Sequence, residues 1–401
     1  MALYEGIALI QEKQAVVLDL GTDYTKFGFT GEAAPRCIVR SEFWCTTERR
    51  HKHVHDYKSP DELYDNLVHM LHQLYFRHVL VNPKERKVVV VESLLTPTLF
   101  RETLAKVLFL HYEVSGVIWA DSPRMCALTL GAPVVLVVSI GAKEAEVAAV
   151  VHSCVVLKSL QAAPLGSHAV HAELASLLDA DNDTSLELPD DLLEDIKVKC
   201  CFVGSRSRAL QWASDSPPAP AKGVPYRSGG RALTVSGRTR ELAAEPLFQR
   251  DNEMSSLPDI ILQCVMQSPI DARRELCANV LVTGGGACLP GLRARLRDEL
   301  QQLLAEEPYR DRLGGMRLRF HRAPSCDGAV AWLGGALCGA SEGAGAAPLA
   351  PLAGLGPLGG LAPLARLTPR DHFARSGRLR DWVCLLDNTP PTHHLRDHLD
   401  I

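Results

Sequence analysis

The sequence predicts a layered α/β fold that contains an internal duplication. An apolar, β-branched run at 16–20 turns at Asp19-Leu20-Gly21-Thr22 and leaves as a second strand. Strand, glycine turn and strand recur at 134–151, where Ser139-Ile140-Gly141 takes the place of Asp19-Leu20-Gly21. Two such hairpins, about 120 residues apart, indicate a duplicated fold with a ligand between its halves. A chain of 401 residues is long enough to form two lobes.

Between the two hairpins, the pattern alternates strands with helices, as a layered α/β domain requires. A helix begins at Pro60, with acidic residues in its first turn and an apolar stripe at helical spacing. The run 88–91 is fully apolar and predicts a buried strand. The segment 41–59 is rich in His, Arg and Lys without a periodic apolar face, so we expect an exposed loop. A second surface loop is expected at 214–230, which is rich in Pro, Ser and Gly.

Composition excludes several classes of protein. The net charge is −4, with 46% apolar and 22% charged residues, and acids and bases are mixed, so we expect no nucleic-acid partner. The 12 cysteines include no C-x-x-C pair, so we expect reduced thiols and no disulfide scaffold. The first residues lack the basic segment and the apolar segment of a secretory signal, so we expect a cytoplasmic protein. The stretch 343–365 is uncharged, but its four prolines and six glycines break any helix, which predicts a low-complexity linker and no membrane span.

The first glycine turn has the chemistry of a phosphate site. Glycine lets the backbone approach a ligand, while Thr22 supplies a hydroxyl and Lys26 a compact positive charge. The alternative, equally weighted on these residues, is that glycine and threonine serve turn geometry alone. Thr283-Gly284-Gly285-Gly286 joins a strand to the helix predicted at 292–304, and here too an anion site and close strand–helix packing remain open.

A metal site is conceivable in the histidine-rich segment. His51, His53 and His55 alternate along the chain, and Cys45 lies nearby. A solvated loop is the favoured interpretation, because no matching pair of ligands is close in sequence.

Several spaced motifs, in the right order, resemble the actin family. They cover most of residues 15–385 apart from loops. The matching segments are 19–22, 26–35, 195–203, 268–276, 282–286, 289–291 and 332–335.

This resemblance implies a duplicated, ribonuclease-H-like, two-lobed ATPase fold that holds ATP or ADP, with Mg²⁺ as an open question. The implied domains are a first lobe at 1–135, a second lobe at 136–340, a linker at 341–366 and a C-terminal segment at 367–401 that packs back on the first lobe. The residues it assigns to nucleotide contact are Asp19, Gly21, Thr22, Lys26, Gly141, Lys197, Gly284, Gly285 and Gly286.

Departures from the family pattern predict that hydrolysis is lost. The acid that organises metal-bound water is replaced by Ser139, and the glutamine that orients the attacking water aligns with Ser122. Val198 replaces the ribose-binding glutamate, and Lys143 replaces a loop glycine. Asp23 adds like charge beside the phosphates. Losing two such groups removes several kcal/mol of transition-state stabilisation, so we expect a chain that is not an enzyme.

Within the family, 74–83 and 100–104 are most similar to the actin-related protein at the pointed end of dynactin. Between Pro35 and Asp61 only a short segment stands where actin carries a whole small subdomain facing that end. The resemblance therefore implies a subunit that ends the dynactin filament, contacts other pointed-end subunits and links dynein to cargo. Two alternatives remain: an ATPase or kinase on the same fold, and a nuclear actin-related subunit of a chromatin-remodelling complex.

Overall fold

The computed structural model describes residues 14–182, 187–228, 231–250, 255–343, 366–377 and 379. The chain divides into two compact units, and both are discontinuous. The first comprises 1–133, 150–158 and 324–401, and the second comprises 134–149 and 159–323. The sequence predicted a first lobe at 1–135 with the C-terminal segment 367–401 packing back on it, and a second lobe at 136–340. Most of the predicted linker at 341–366 and of that C-terminal segment lies outside the described residues. The units differ from that division because helix Val330–Gly343 packs on strands of the first unit.

The first unit is built on a six-stranded mixed sheet in the order β16-β7-β6-β1-β2-β3. Its centre is parallel: β1 pairs with β6 and β6 with β7, while β2, β3 and β16 join in antiparallel fashion. The strands are β1 (Val16–Leu20), β2 (Tyr24–Phe29), β3 (Cys37–Arg40), β6 (Lys87–Glu92), β7 (Gly116–Asp121) and β16 (Arg366–Pro369).

Alternate residues of the central strands enter two different cores, so both faces of this sheet are covered. Val16 and Leu18 belong to one core, and Val17 belongs to the other. The helices of this unit are α1 (Pro60–Gln73), α2 (Thr98–Lys106), α3 (Ser122–Leu130), α12 (Val330–Gly343) and α13 (Arg370–Ser376), with π-helical segments at Leu74–Val79 and Val107–His111.

The predicted helix at Pro60 is confirmed. The Ser59 hydroxyl accepts a hydrogen bond from the Glu62 amide and caps its N-terminus. Its apolar stripe packs into the first core, where Leu63, Leu67, Met70, Leu71 and Leu74 are fully buried.

On the other face, α12 lies against the sheet. The indole Nε1 of Trp332 donates to the carbonyl oxygen of Val17 at 3.1 Å. A Cβ on Gly334 would stand 2.0 Å from the carbonyl oxygen of Met125, so glycine alone permits this close approach between α12 and α3.

The prediction of an exposed loop at 41–59 is wrong. This segment forms a hairpin of β4 (Glu42–Cys45) and β5 (Arg50–His53). Phe43 and Val54 are buried in the first core. The ammonium of Lys52 is buried too, because it pairs with Glu48 at 3.3 Å and with Glu62 of α1. The fold prediction expected a reduced small subdomain in this region. The structure has a β hairpin there, and the hairpin packs on the core of the first unit.

The second unit repeats the hairpin plan of the first. Strand β8 (Val134–Ile140) is adjacent to β9 (Ala145–Val151) and runs parallel to β14 (Val280–Thr283), as β1 is adjacent to β2 and parallel to β6. The other strands of the second unit are β11 (Gln161–Ala163), β12 (Val224–Ser228), β13 (Arg231–Val235) and β15 (Phe320–His321). Strand β10 (Cys154–Val155) pairs with the end of β9 and belongs to the part of the first unit at 150–158.

Helices surround these strands in the second unit. Because β12 pairs with β13, the predicted surface loop at 214–230 is wrong in its second half. The helices are α4 (Ser167–Asn182), α5 (Asp190–Cys200), α6 (Arg206–Trp212), α7 (Gly237–Leu242), α8 (Leu257–Gln267), α9 (Arg273–Ala278), α10 (Leu292–Leu303) and α11 (Tyr309–Leu313). Among the described residues, no helix combines the length and apolar character needed to cross a bilayer.

Candidate functional site

The first hairpin brings the predicted phosphate-loop residues of the first unit together. Asp19 and Lys26 face each other across the β1–β2 ladder, and their carboxylate Oδ2 and ammonium Nζ are 3.2 Å apart. Both side chains are largely buried, so this ion pair holds the lysine in place and offsets part of its charge. Thr22 lies in the turn between the strands and is half-buried.

Glycine is required at the tip of this hairpin. A Cβ on Gly21 would lie 2.7 Å from the carbonyl oxygen of Tyr24 and 3.6 Å from the Lys26 ammonium. The Ser41 hydroxyl donates to the Gly21 carbonyl at 2.6 Å and lies 2.8 Å from the Thr25 hydroxyl. The sequence analysis did not predict these hydrogen bonds of Ser41, because Ser41 belongs to a segment without a recognisable motif.

Two further acidic side chains stand at the carboxyl end of the parallel strands, where open α/β sheets bind ligands. Glu92 ends β6 and Asp121 ends β7 beside it. The Arg101 Nε donates to Glu92 at 2.9 Å, and Arg124 pairs with Asp121, which also caps α3. Burial raises the pKa of Glu92 to about 7; Arg101 opposes the rise and Asp121 adds to it. Ser122, the position expected to lack the water-orienting amide, is the first residue of α3.

The second hairpin is closed by backbone contacts within the second unit. The Gly141 amide donates to the Glu144 carbonyl at 2.9 Å, while the carbonyls of Gly141 and Ala142 accept from the amides of Ser167 and His168. Those two amides belong to the first turn of α4, where backbone N–H groups have no acceptor within the helix. The hairpin carbonyls therefore provide these N–H groups with hydrogen-bond acceptors.

The side chains around this second turn differ in their surroundings. Lys143 and Glu144 are exposed at its tip. Ser139 lies on β8 opposite Thr283 of β14, so hydroxyl side chains occupy both register positions.

The three glycines after β14 have different roles. Gly284 has φ +91°, and a Cβ there would lie 2.3 Å from the carbonyl oxygen of Ile140. A Cβ on Gly286 would lie 2.4 Å from Cγ2 of Ile140, whereas one on Gly285 would meet no atom within 4 Å. Gly284 and Gly286 are therefore needed for packing, and Gly285 alone leaves open space for a ligand.

Lys197 is held by its own neighbours. Its ammonium is buried, lies 3.0 Å from Nε2 of His171 and donates to the Glu194 carboxylate. The pKa of Glu194 falls to about 2: burial acts against the fall, but the hydrogen bonds from His171 and Lys197 outweigh it. Val198, the next residue on α5, is 66% exposed.

The structure therefore assembles the predicted site residues in groups. Asp19, Gly21, Thr22 and Lys26 share one hairpin of the first unit. In the second unit, Gly284 and Gly286 pack on Ile140, next to Gly141. Lys197 belongs to the separate cluster with His171 and Glu194.

The histidines of the β4–β5 hairpin have different ring partners. His51 packs edge-on against Trp44, while His55 stacks on Phe100. Within the described part of the chain, no three His, Cys, Asp or Glu side chains are grouped to hold a metal ion.

Each unit by itself offers groups that suit a phosphate better than a metal ion. In the first unit, Gly21 turns the chain beside the Lys26 ammonium, and the Asp19 carboxylate is already paired with that lysine. In the second unit, a Cβ on Gly285 would meet no atom within 4 Å, and Ser139 offers a hydroxyl in place of a carboxylate.

Comparison with known proteins places this arrangement in a family. Residues 10–346 match the family model described as Actin. The chain is 24% identical over 406 aligned positions to actin-related protein 10 of Dictyostelium discoideum, covering 82% of this chain and 83% of that protein. It is also 24% identical over 360 positions to actin-related protein 2 of Arabidopsis thaliana, covering 82% and 92%. With the duplicated hairpins and the glycine loop after β14 in place, the chain belongs to the actin family.

Proposed function

We propose that this chain is a non-polymerising, actin-related structural subunit that terminates the pointed end of the dynactin filament. In this role it contacts the actin-related filament and other pointed-end subunits, and it helps to link cytoplasmic dynein to its cargo. The proposed location is the cytoplasm, as part of the cytoskeleton. Support comes from the similarity to actin-related protein 10 and from the segments 74–83 and 100–104, which resemble the dynactin pointed-end subunit.

The observation that carries this proposal is the β4–β5 hairpin. Actin has a small subdomain with a filament-contacting loop in this region, facing the pointed end. Here the chain needs only Ser41–Ser59 to pass from β3 to α1, and it buries Phe43 and Val54 against its own core. The Asn66 side-chain amide fastens the hairpin further by donating to the carbonyls of Val54 and Asp56 at 3.2 and 3.1 Å. Because this hairpin is packed against its own subunit, it provides no equivalent of the filament-contacting loop for a following subunit to bind.

The proposal includes a nucleotide that is held but not turned over. Ser139 supplies no carboxylate to organise metal-bound water, and Ser122 supplies no amide to orient it. The exposed Lys143 adds positive charge at the second turn, and Asp23 adds negative charge at the first. ATP or ADP then serves as a structural ligand, because binding to the folded state alone stabilises it.

Two measurements on the full chain test the structural role. We expect the purified protein to stay in the supernatant under conditions in which actin sediments as filaments. We also expect an affinity-tagged chain to co-purify the actin-related filament of dynactin. Long filaments of the chain alone would overturn the proposal, as would co-purification of chromatin-remodelling subunits in place of dynactin.

The proposed lack of ATP hydrolysis is tested by placing an acidic residue at position 139. We expect phosphate release with Mg²⁺ and ATP at the background rate for the natural chain, and a faster rate for Ser139→Asp. Ser139→Asn is the matched control, because it has similar size and no charge. Rapid, magnesium-dependent turnover by the natural chain, or phosphate transfer to a sugar, would favour the enzyme alternative.

A further inference from the structure

A proline-rich segment on the second unit lies outside the residues predicted to contact nucleotide. It runs from Ser216 to Lys222, between α6 and β12, and belongs to no helix or strand. We propose that this segment, the proline ledge, is a docking site for an SH3-type domain, which is a module with an aromatic-lined groove and an acidic pocket at one end. The proposal does not depend on dynactin.

The spacing of the ledge matches this class of partner. Pro217 and Pro220 are three residues apart, and Lys222 follows two residues later. A polyproline II helix repeats every three residues, so in that conformation both prolines would share one edge. SH3-type grooves recognise such P-x-x-P segments. A cation just beyond the second proline selects a groove that ends in carboxylates.

Exposure along the ledge follows the same period. Pro218 and Ala221, the two positions between the recognition residues, are half-buried against the second unit. Pro217, Pro220 and Lys222 are exposed. The positions that an SH3-type groove would read therefore face solvent, whereas Pro218 and Ala221 are half-covered by the protein.

Side chains of the second unit hold the backbone of the ledge. Arg208 Nη2 donates to the Ala219 carbonyl at 3.0 Å, and the Ala221 amide donates to the Glu241 carboxylate at 3.2 Å. Arg240 donates to the Lys222 carbonyl. Arg208 also pairs with Glu241 at 2.8 Å, so these anchors support each other. A segment ordered before it binds loses less entropy on binding, which favours affinity.

The charges at the two ends of the ledge, Asp215 just before it and Lys222 at its last position, favour one partner and one direction of binding. Asp215 precedes the first proline and Lys222 follows the second, and both are exposed. A groove that is acidic at the lysine end attracts Lys222, and reversing the segment would put Asp215 against those carboxylates. Complementary charge therefore favours one orientation of an acidic SH3-type domain over the other.

The test uses the full-length chain and a panel of purified SH3 domains with acidic grooves, measured by titration calorimetry. We expect saturable binding to at least one of them. Pro220→Ala and Lys222→Glu should each weaken it by about tenfold or more, because each removes a group that enters the groove. Pro218→Ala is the matched control: it also removes a proline, but from the edge that rests on the protein, so we expect a change of about twofold or less.

Thermal unfolding of each variant must match that of the natural chain, so that a binding loss is not a folding loss. Failure of every SH3 domain to bind would overturn the proposal. So would equal losses in Pro218→Ala and Pro220→Ala, or tighter binding by a parallel panel of WW domains. None of these results bears on filament termination, which is measured separately.

Discussion

Replacing Gly284 with alanine should destabilise the second unit, whereas the same change at Gly285 should not. Gly284 has φ +91° and ψ 167°, a region that only glycine adopts at low cost, so an alanine there loses about 1–3 kcal/mol from the backbone alone. Its Cβ would also lie 2.3 Å from the carbonyl oxygen of Ile140, which cannot move without distorting β8. We therefore expect a total loss of about 3 kcal/mol or more.

Gly285 provides the comparison, because a Cβ there would meet no atom within 4 Å. Alanine at such a position stabilises a protein by about 0.4–1 kcal/mol, since it restricts the unfolded chain. Both variants are measured by urea denaturation, followed by circular dichroism. If Gly284→Ala unfolds within about 0.5 kcal/mol of the natural chain, the packing assigned to this loop is refuted.

The same pair of variants separates folding from ligand binding. If a nucleotide approaches the backbone at Gly285, the added methyl group should weaken nucleotide binding while stability is kept. Binding is measured by displacement of a fluorescent ATP analogue from the full-length chain. Unchanged affinity in Gly285→Ala would remove this residue from the candidate site.

Further predictions concern three buried polar groups. Arg295→Met should cost about 3–5 kcal/mol, because it leaves Glu245 without its two 3.0 Å hydrogen bonds, and adding Glu245→Gln should recover part of the loss in urea denaturation. Trp332→Phe should cost about 1–3 kcal/mol, because it removes the hydrogen bond from the buried indole to the Val17 carbonyl and leaves space beside the sheet, measured as a lower melting temperature. The pKa of Glu92 is raised from 4.5 to about 7 in the folded chain, so the folded state holds this proton more tightly than the unfolded state does. The contribution of Glu92 to the free energy of unfolding should therefore fall as pH rises between these two values, by about 3 kcal/mol in all. Glu92→Gln should lack that fall when urea midpoints are compared from pH 4.5 to 8.

Patterns that repeat along the chain were predicted correctly from the sequence. The stripe on α1 was visible because its buried residues recur at helical spacing within one element. The duplicated hairpins were visible for a similar reason: each is a local run of apolar residues around a glycine turn. Local rules of this kind need no knowledge of the partners of an element.

Partners that are distant in sequence were the main source of errors. The β4–β5 hairpin has strands of only four residues with charged side chains, and Lys52 is buried because Glu62 of α1 receives it. His171 reaches Lys197 from 26 residues away, so the sequence did not reveal that this lysine has partners of its own within the second unit. Glu92 and Asp121 were overlooked because the register of two parallel strands brings them together.

The position of α12 determines when one face of the first sheet can be fully covered during synthesis. Trp332 bonds to Val17 across 315 residues, so the first sheet emerges early but is covered only in part on one face, by α3, until α12 has been made. Residues 159–323 form most of the second unit and are contiguous. All segments of the second unit have therefore been made before α12, which the first unit still lacks at that point. Newly made chains should therefore expose the apolar face of β1 and β6 throughout synthesis of the second unit, which makes that face a natural client surface for chaperones.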